Sequence, residues 1–375
     1  MLLSRVKQTL AALAGSALLV CSGGASADYG LNLPRGVTSI SKEAYDLHML
    51  IMWICVAIGV VVFGAIFISI LKHRKSKGAK PATFHESTTV EIIWTIVPFL
   101  ILIGMAIPAT KALVAMEDTS NSDLTIKVTG YQWKWGYDYI DDGVSFISSL
   151  ATPKEQIYDM QEKGENYLLE VDKPLVVPTN KKVRLLITAS DVIHAWWVPD
   201  LGMKKDAIPG FVNEMWFQID TEGTYRGQCA ELCGKDHGYM PIVVIAKNEA
   251  DYGKWLSAQK TASDAVAAAA EREWEISELL ERGEKVYSGT CAACHQANGE
   301  GIPGAFPAIK DSAVATGPAG DHLALVMNGK AGTAMTAFAG QLSDVDLAAV
   351  VTYQRNAWGN NAGDLIQPAE VKAAR

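Results

Sequence analysis

Positive charge is scarce in this sequence. Its 375 residues include 33 lysines and arginines against 41 aspartates and glutamates, which gives a net charge of −8, and no basic stripe runs through the polar half. Proteins that bind nucleic acid usually carry a concentrated basic surface. The sequence therefore excludes that class of function, and a basic partner fits the charge better than an acidic one.

Cysteine is also scarce, and its spacing is uneven. Four of the six cysteines form two close pairs, Cys229 with Cys233 and Cys291 with Cys294, while Cys21 and Cys55 stand apart. A chain of this length can form two or three domains and bury its own core, so it has no need of a disulfide framework. Short-spaced pairs are more typical of metal or haem sites.

Long apolar runs occur only near the N-terminus. Residues 1–27 have a basic start, an apolar run and the small residues Ala25-Ser26-Ala27, a pattern typical of a secretory signal peptide cleaved after Ala27. The alternative is a lipoprotein modified at Cys21. Val20 is large for the residue before a lipidated cysteine.

Two further apolar runs predict a transmembrane α-hairpin within residues 28–111. The spans are residues 49–71 and 92–109, each long enough to cross a hydrocarbon core of about 30 Å. The loop between them is rich in lysine, which marks the cytoplasmic side. We therefore expect a multi-pass protein of the bacterial inner membrane, with everything after Lys111 in the periplasm. Glu91 begins the second span, where most acidic residues are solvated anchors.

The sequence after the hairpin changes character three times. Between residues 112 and 247, short β-rich runs separated by turn residues predict a Greek-key sandwich or barrel. Residues 248–274 form an alanine-rich, partly helical linker, residues 275–358 an all-α domain, and residues 359–375 a tail. The predicted strands are Leu124–Thr129, Gln132–Ile140, Tyr167–Val171, Leu175–Val177, Val183–Thr188, Asn213–Ile219, Thr224–Gln228 and Pro241–Ala246.

One stretch of the β region concentrates soft metal ligands. Cys229, Cys233, His237 and Met240 follow one another closely, and His194 follows an earlier strand. A blue-copper site needs one thiolate, but here two thiolates can bridge two copper ions. The backbone carbonyl of Glu231, between the cysteines, can add an oxygen ligand. A zinc site and a Cys229–Cys233 disulfide are the alternatives, although zinc has no use for Met240.

A second motif, Cys291-Ala-Ala-Cys294-His295, is the attachment sequence of a c-type haem. The two thiols bind the haem vinyl groups, and His295 is an axial ligand. A thioredoxin-like dithiol is the alternative, but it leaves His295 unexplained. Met335, in a flexible loop, is the expected second axial ligand. Met327 competes with it, but it lies in an apolar run that is typical of core packing.

Together, the two spans, His194, the Cys229–Met240 stretch and Gly130-Tyr-Gln-Trp133 resemble subunit II of cytochrome c oxidase over residues 40–247. Residues 275–358 resemble a class I cytochrome c. The resemblance implies a cupredoxin fold carrying the dinuclear copper centre CuA. Its ligands would be His194, Cys229, Glu231 (carbonyl), Cys233, His237 and Met240.

The resemblance also implies roles outside the copper ligands. The Glu231 side chain would reach a Mg²⁺ ion shared with subunit I, and Trp133 matches the indole through which electrons enter. Glu91 matches the glutamate at the entrance of a proton channel in subunit I. The fused domain departs from its relatives at Thr336, where proline is frequent after the methionine ligand.

The implied function is that of a terminal respiratory oxidase subunit. A cytochrome c or similar donor would reduce the haem, the haem would reduce CuA, and CuA would pass electrons to a haem of subunit I. There O2 is reduced to water with proton pumping. Expected partners are subunits I and III, the donor and membrane lipid. A nitric oxide reductase subunit and a membrane-anchored copper-delivery protein are the rival functions.

Overall fold

The computed structural model describes residues 32–80 and 83–375. The predicted signal peptide and Cys21 lie outside these residues. Residues Arg35–Arg375 form one compact unit, which contains the helices and strands of the described chain.

Two long apolar helices open this unit. Helix α1 runs over Ser39–Lys72 and helix α2 over Thr88–Glu117, and both are long and apolar enough to cross a membrane. Each extends beyond its predicted span, and α2 continues through Pro98 and Pro108. At about 1.5 Å per residue, both exceed a hydrocarbon core of about 30 Å. Their ends therefore project from it.

The start of α1 is fixed to the β region by a hydrogen-bonded cap. The Ser41 backbone N–H donates to Thr38 Oγ1 at 2.9 Å, and the Thr38 N–H donates to Ser41 Oγ at 3.0 Å. This reciprocal pair satisfies two free donors of the helix N-terminus. The Thr38 hydroxyl also donates to the Leu201 carbonyl at 2.9 Å. The first membrane helix is thus tied to the domain that comes after it in the chain.

Ten strands form two five-stranded sheets around one core. The first sheet has the order β3-β2-β1-β5-β8 and the second the order β4-β10-β9-β6-β7. β1 pairs with β5 and β10 with β4 in parallel, and the other pairs are antiparallel. The strands are β1 Leu124–Tyr131, β2 Lys134–Tyr139, β3 Val144–Ser148, β4 Leu175–Pro178, β5 Val183–Ala189, β6 His194–Val198, β7 Met203–Ala207, β8 Asn213–Phe217, β9 Gly223–Cys229 and β10 Pro241–Lys247. Large aromatic side chains such as Trp135, Trp196 and Phe217 fill the space between the sheets.

Seven of the eight predicted strands are confirmed, and one is wrong. Tyr167 and Leu168 lie in a turn, with Leu168 at φ 61°, and in residues 167–171 only Val171 makes a bridge, to Leu150. The structure adds β3, β6 and β7, which were not predicted. β7 lies at a sheet edge, and only its end residues, Met203 and Ala207, are buried. The positions between them are more exposed and carry charged residues, two of them lysines. Charged edge strands lack the apolar pattern by which strands are found.

The predicted linker is a continuous helix that contacts the domains on both sides. Helix α4 spans Glu249–Glu271 and comes after the short helix α3, Lys154–Ile157. Near its start, the Trp255 and Tyr139 rings lie 5.3 Å apart between centroids. Just past its end, Trp274 and Gln367 exchange two hydrogen bonds of 3.0 and 2.9 Å. The helix therefore fixes the spacing of the two domains.

The C-terminal domain is a cluster of helices, α5 to α10. Helix α5 crosses α9 where Gly283 meets the backbone of Ala349. The predicted tail is part of this domain, because Ile366 and Val371 are buried in its core. The helices are α5 Ile276–Thr290, α6 Ala292–His295, α7 Ala313–Thr316, α8 Ala319–Asn328, α9 Asp344–Asn356 and α10 Pro368–Ala374.

Substitution of Gly283 is expected to loosen this crossing. A Cβ at that position would stand 2.2 Å from the Ala349 carbonyl oxygen, and overpacking of this kind costs about 1–3 kcal/mol. Gly283→Ala should therefore lower the thermal midpoint of the helical domain, measured by circular dichroism. Gly289→Ala is the matched control, because it lies on the same helix with open space around it. An unchanged midpoint for Gly283→Ala would contradict the close crossing.

Candidate functional site

Strand pairing brings the predicted copper ligands together. β6 begins at His194 and β9 ends at Cys229, and the two strands are neighbours, with Trp196 opposite Cys229. The loop after Cys229 turns back into β10 and carries Cys233, His237 and Met240. His194 thus reaches the cysteines from 35 residues away in sequence.

Six donor atoms converge at this point. Cys229 Sγ lies 3.9 Å from Cys233 Sγ, 3.9 Å from His194 Nδ1 and 3.4 Å from the Glu231 carbonyl oxygen. Cys233 Sγ lies 3.4 Å from His237 Nδ1 and 3.5 Å from Met240 Sδ. Both cysteines are free thiols, and a disulfide would need sulfur atoms about 2.05 Å apart. The disulfide alternative is therefore not what the structure shows.

The donor set fits a soft dinuclear metal centre. Two sulfur atoms stand side by side, an imidazole flanks each of them, and a thioether and a carbonyl oxygen complete the shell. Thiolate, imidazole and thioether ligands select copper among the common protein metals. The His194, Cys229, Cys233 and Met240 side chains are buried, so water has little access to the site.

Asp191 orients the buried histidine and was not predicted as a functional residue. Its Oδ1 lies 2.9 Å from His194 Nε2, which turns Nδ1 toward the sulfur atoms. A carboxylate behind a metal-binding histidine fixes the ring and its tautomer. The same carboxylate accepts a hydrogen bond from the Gln132 backbone at 2.7 Å. The sequence signal for this role was an acidic residue three positions before a histidine that was predicted to be a metal ligand.

The two thiols differ in acidity. Burial would raise the pKa of Cys229, but hydrogen bonds with His194 and the backbone outweigh it, so this pKa is lowered. Burial and the negative charge of Cys229 raise the pKa of Cys233 to about 12. Metal ligands must be deprotonated. A metal that binds both sulfur atoms therefore displaces the Cys233 proton.

The turn before β2 lies directly over the second cysteine. Gln132 Nε2 and Trp133 Nε1 both donate to the Cys233 carbonyl, at 2.8 and 3.2 Å. Just before this turn, Gly130 packs against the His194 ring. A Cβ atom at position 130 would lie only 2.8 Å from His194 Cδ2, so no larger residue fits there without a shift. Trp133, predicted to carry electrons, is thus in contact with a copper-ligand segment.

A second site lies in the C-terminal domain. Cys291, Cys294 and His295 line a mostly apolar cavity of about 490 Å³, and Met335 and Phe338 line it too. His295 Nδ1 lies 2.8 Å from the Pro307 carbonyl oxygen, which leaves Nε2 for a ligand. Met327 is buried in the helical core and does not line the cavity. Paired thiols, an oriented histidine and apolar walls fit a c-type haem, and Met335 remains the predicted second axial ligand.

The structure does not bring the remaining predicted residues into these sites. The Glu231 side chain is exposed next to the exposed Leu232. Within residues 32–80 and 83–375, only His194, Cys229 and Cys233 form a cluster of three or more potential metal-binding side chains of His, Cys, Asp or Glu. Glu91 lies in the first turn of α2 and is exposed. The Mg²⁺ and proton-channel roles therefore stay predictions.

These features define a class of protein. A cupredoxin-like domain with a soft dinuclear site stands between two membrane-type helices and a helical domain with a haem attachment motif. This is the organisation of a membrane-bound electron-transfer subunit.

Comparison with known proteins identifies the family. Residues 26–112 match the transmembrane domain of cytochrome c oxidase subunit II, and residues 124–247 match its periplasmic domain. Residues 278–353 match subunit III of the cbb3-type cytochrome c oxidase.

Named relatives agree with these matches. The probable cytochrome c oxidase subunit 2 of Rickettsia prowazekii is 40% identical, over 58% of this chain and 68% of the relative. Cytochrome c oxidase subunit 2 of Cereibacter sphaeroides is 38% identical, over 58% of this chain and 77% of the relative. The solved periplasmic domain of subunit II from Bradyrhizobium japonicum is 42% identical, covering 38% of this chain and 98% of that chain, with a TM-score of 0.35.

The chain belongs to the cytochrome c oxidase subunit II family and carries an additional C-terminal cytochrome c domain. The resemblance found in the sequence and the predicted fold class are confirmed. The protein is a component of the oxidase enzyme, and its family implies copper, a haem c domain and a role in electron transfer. The membrane-domain match and the two apolar helices indicate a membrane protein.

His322 is a buried base in the wall of the cavity that Cys291 and His295 line, called the haem cavity below for the group that we expect there. It is 4% exposed, and its Nδ1 has no hydrogen-bond partner among the described residues. Burial lowers the pKa of His322 to about 4, and the nearby Arg355 charge adds to this. Because the unfolded chain binds this proton near pH 6.5, acid favours unfolding.

Acidification should therefore weaken the helical domain through His322. The contribution of neutral His322 to the free energy of unfolding is fully present above pH 6.5 and is lost as the pH falls toward 4. Between pH 7.5 and pH 5 the loss amounts to about 2 kcal/mol. Urea unfolding at the two pH values measures the loss. His322→Leu should reduce the difference between them by that amount. An unchanged difference would show that His322 is protonated in the folded domain.

Proposed function

We propose that this chain is the subunit through which electrons enter a terminal respiratory cytochrome c oxidase. The observation that carries the proposal is the convergence of two thiols, two imidazoles, a thioether and a carbonyl on one buried point. The family match supports it independently. When bound, a copper pair and a haem c supply reversible one-electron chemistry.

The residues that would hold these groups are those that the geometry brings together. CuA would be held by His194, Cys229, the Glu231 carbonyl, Cys233, His237 and Met240. Cys291 and Cys294 would form thioether bonds to haem c, and His295 and Met335 would be its axial ligands. Burial of the sulfur ligands excludes water, and Asp191 holds His194 in the orientation that copper needs.

Electrons would move in one direction through the two domains. A cytochrome c or a similar donor reduces the cytochrome domain, which reduces the cupredoxin domain. That domain then reduces a haem of subunit I, where O2 becomes water with proton pumping. Leu232, next to Glu231, is exposed and would offer subunit I an apolar contact, and the Glu231 carboxylate would share a Mg²⁺ ion there.

The topology proposed for this function is that of the bacterial inner membrane. Lys72 ends α1, the loop after it carries lysines at positions 75, 77 and 80, and this loop would face the cytoplasm. Both redox domains would then lie in the periplasm, and α1 and α2 would contact lipid and subunits I and III. Glu91, at the cytoplasmic end of α2, would stand at the entrance of a proton channel in subunit I.

Metal analysis of the purified oxidase subunit tests the two cofactor assignments. We expect two coppers and one haem iron per chain, with copper EPR showing one electron shared by both coppers. Cys233→Ser should abolish the shared signal, because a hydroxyl is a poor bridge between soft metals. Cys55→Ser, at an exposed free cysteine of α1, is the matched control and should keep it. One copper per chain, or zinc, would refute the site.

Substitution of Glu91 tests the proton-channel assignment. Glu91→Gln removes a carboxylate at the membrane boundary and should slow steady-state O2 consumption by the complete oxidase, while the copper EPR signal stays unchanged. Glu86→Gln is the matched control, since Glu86 is exposed on the same side, before α2 begins. Equal rates for the two variants would remove Glu91 from the proton path.

A further inference from the structure

The cytochrome domain lies against the turn that contacts the copper ligands. A Cβ on Gly340 would stand 3.3 Å from Tyr131 Oη, and Lys134 Nζ lies 5.8 Å from the centre of the Phe338 ring. Phe338 also lines the haem cavity together with Met335. The segment that carries Met335, Phe338 and Gly340 thus contacts the β domain.

The opposite side of the same turn reaches both halves of the copper site. Gln132 and Trp133 donate hydrogen bonds to the Cys233 carbonyl, and the Gln132 backbone reaches His194 through Asp191. Four consecutive residues, 131–134, therefore connect the wall of the haem cavity with the copper ligands. Along residues 131–134, only a few covalent bonds and short contacts separate the haem cavity from the predicted copper ligands.

Lys134 occupies an unusual position in this contact. It is half-buried, and its Nζ has no hydrogen-bond or ion-pair partner in the part of the chain that the structure describes. Desolvation lowers the pKa of Lys134, while the nearby Asp191 carboxylate opposes this effect. The Lys134 ammonium group lies against the Phe338 ring, which lines the same cavity as Cys291. By contrast, Lys127 on β1 is exposed and pairs with Asp138 at 3.6 Å.

We propose that the turn Tyr131–Lys134 is the docking surface for the cytochrome domain, and that Lys134 is a positioning residue for electron transfer between the two domains. This inference rests on the proposed function and deepens it. With both groups bound, the transfer would be a one-electron exchange that oxidises the haem c group and reduces the copper centre. No covalent bond forms or breaks. The external donor then binds the cytochrome domain, because the turn between β1 and β2 is already covered by that domain.

The charge of Lys134 has a second consequence besides docking. If haem c is bound in this cavity, a cation against its Phe338 wall would favour the reduced state, which carries one positive charge less, and would raise the reduction potential. A side chain that only filled space at the contact would not affect the potential in this way. The potential therefore separates a positioning charge from a packing role.

The test compares four forms of the complete oxidase: wild type, Lys134→Met, Lys134→Arg and the control Lys127→Met. After rapid reduction of the haem, Lys134→Met should slow electron transfer to copper about fivefold, which corresponds to about 1 kcal/mol. Its haem potential should also fall. Lys134→Arg should restore both quantities, and Lys127→Met should leave both unchanged.

The outcomes separate this inference from the function on which it rests. Wild-type oxidase without copper or haem c in this subunit would refute the proposed function. If both groups are present and Lys134→Met matches wild type in rate and potential, only the docking inference fails. Loss of copper or haem in Lys134→Met would assign Lys134 a structural role and also overturn it. Gly340→Ala, which crowds Tyr131, should slow transfer as well, with Gly289→Ala as its control.

Discussion

The contact on which the structure depends is the approach of two sulfur atoms, Cys229 Sγ and Cys233 Sγ, to 3.9 Å in a buried site. Two thiolates at this distance repel each other, and burial away from water increases the cost. Burial and the negative charge of Cys229 raise the pKa of Cys233 accordingly. The surrounding fold must therefore hold the two sulfur atoms together rigidly against this cost.

The surrounding structure supplies that rigidity from several directions. The β6–β9 pairing sets His194 against Cys229, and Asp191 prevents the ring from turning. The Cys233 carbonyl accepts two side-chain hydrogen bonds, and the Trp135 indole binds the Met240 carbonyl at 3.3 Å. A redox centre benefits from such a frame, because ligands that cannot move keep the geometry similar in both oxidation states.

The local parts of both candidate sites could be proposed from the sequence, since Cys229 to Met240 and Cys291 to His295 are short motifs. His194 could be proposed too, because a ligand from an earlier strand was required, and the structure brings it to Cys229. Asp191 and Lys134 were not found, since their importance arises from contacts between segments far apart in sequence. Residues 167–171 were apolar enough to predict a strand, but they lack a partner strand. The packing of residues 359–375 into the helical domain was not predicted, because Val371 is buried only by its tertiary contacts.

The helix α4 determines the distance and orientation between the two fused domains. A flexible linker of the same length would give the cytochrome domain a high local concentration but no fixed orientation. α4 is instead held by Trp255 at one end, while Gln367 holds Trp274 just past the other. A helix of 23 residues is about 34 Å long, so it sets both distance and direction. The docking contact proposed at Lys134 would then need to supply only the last adjustment of the two domains.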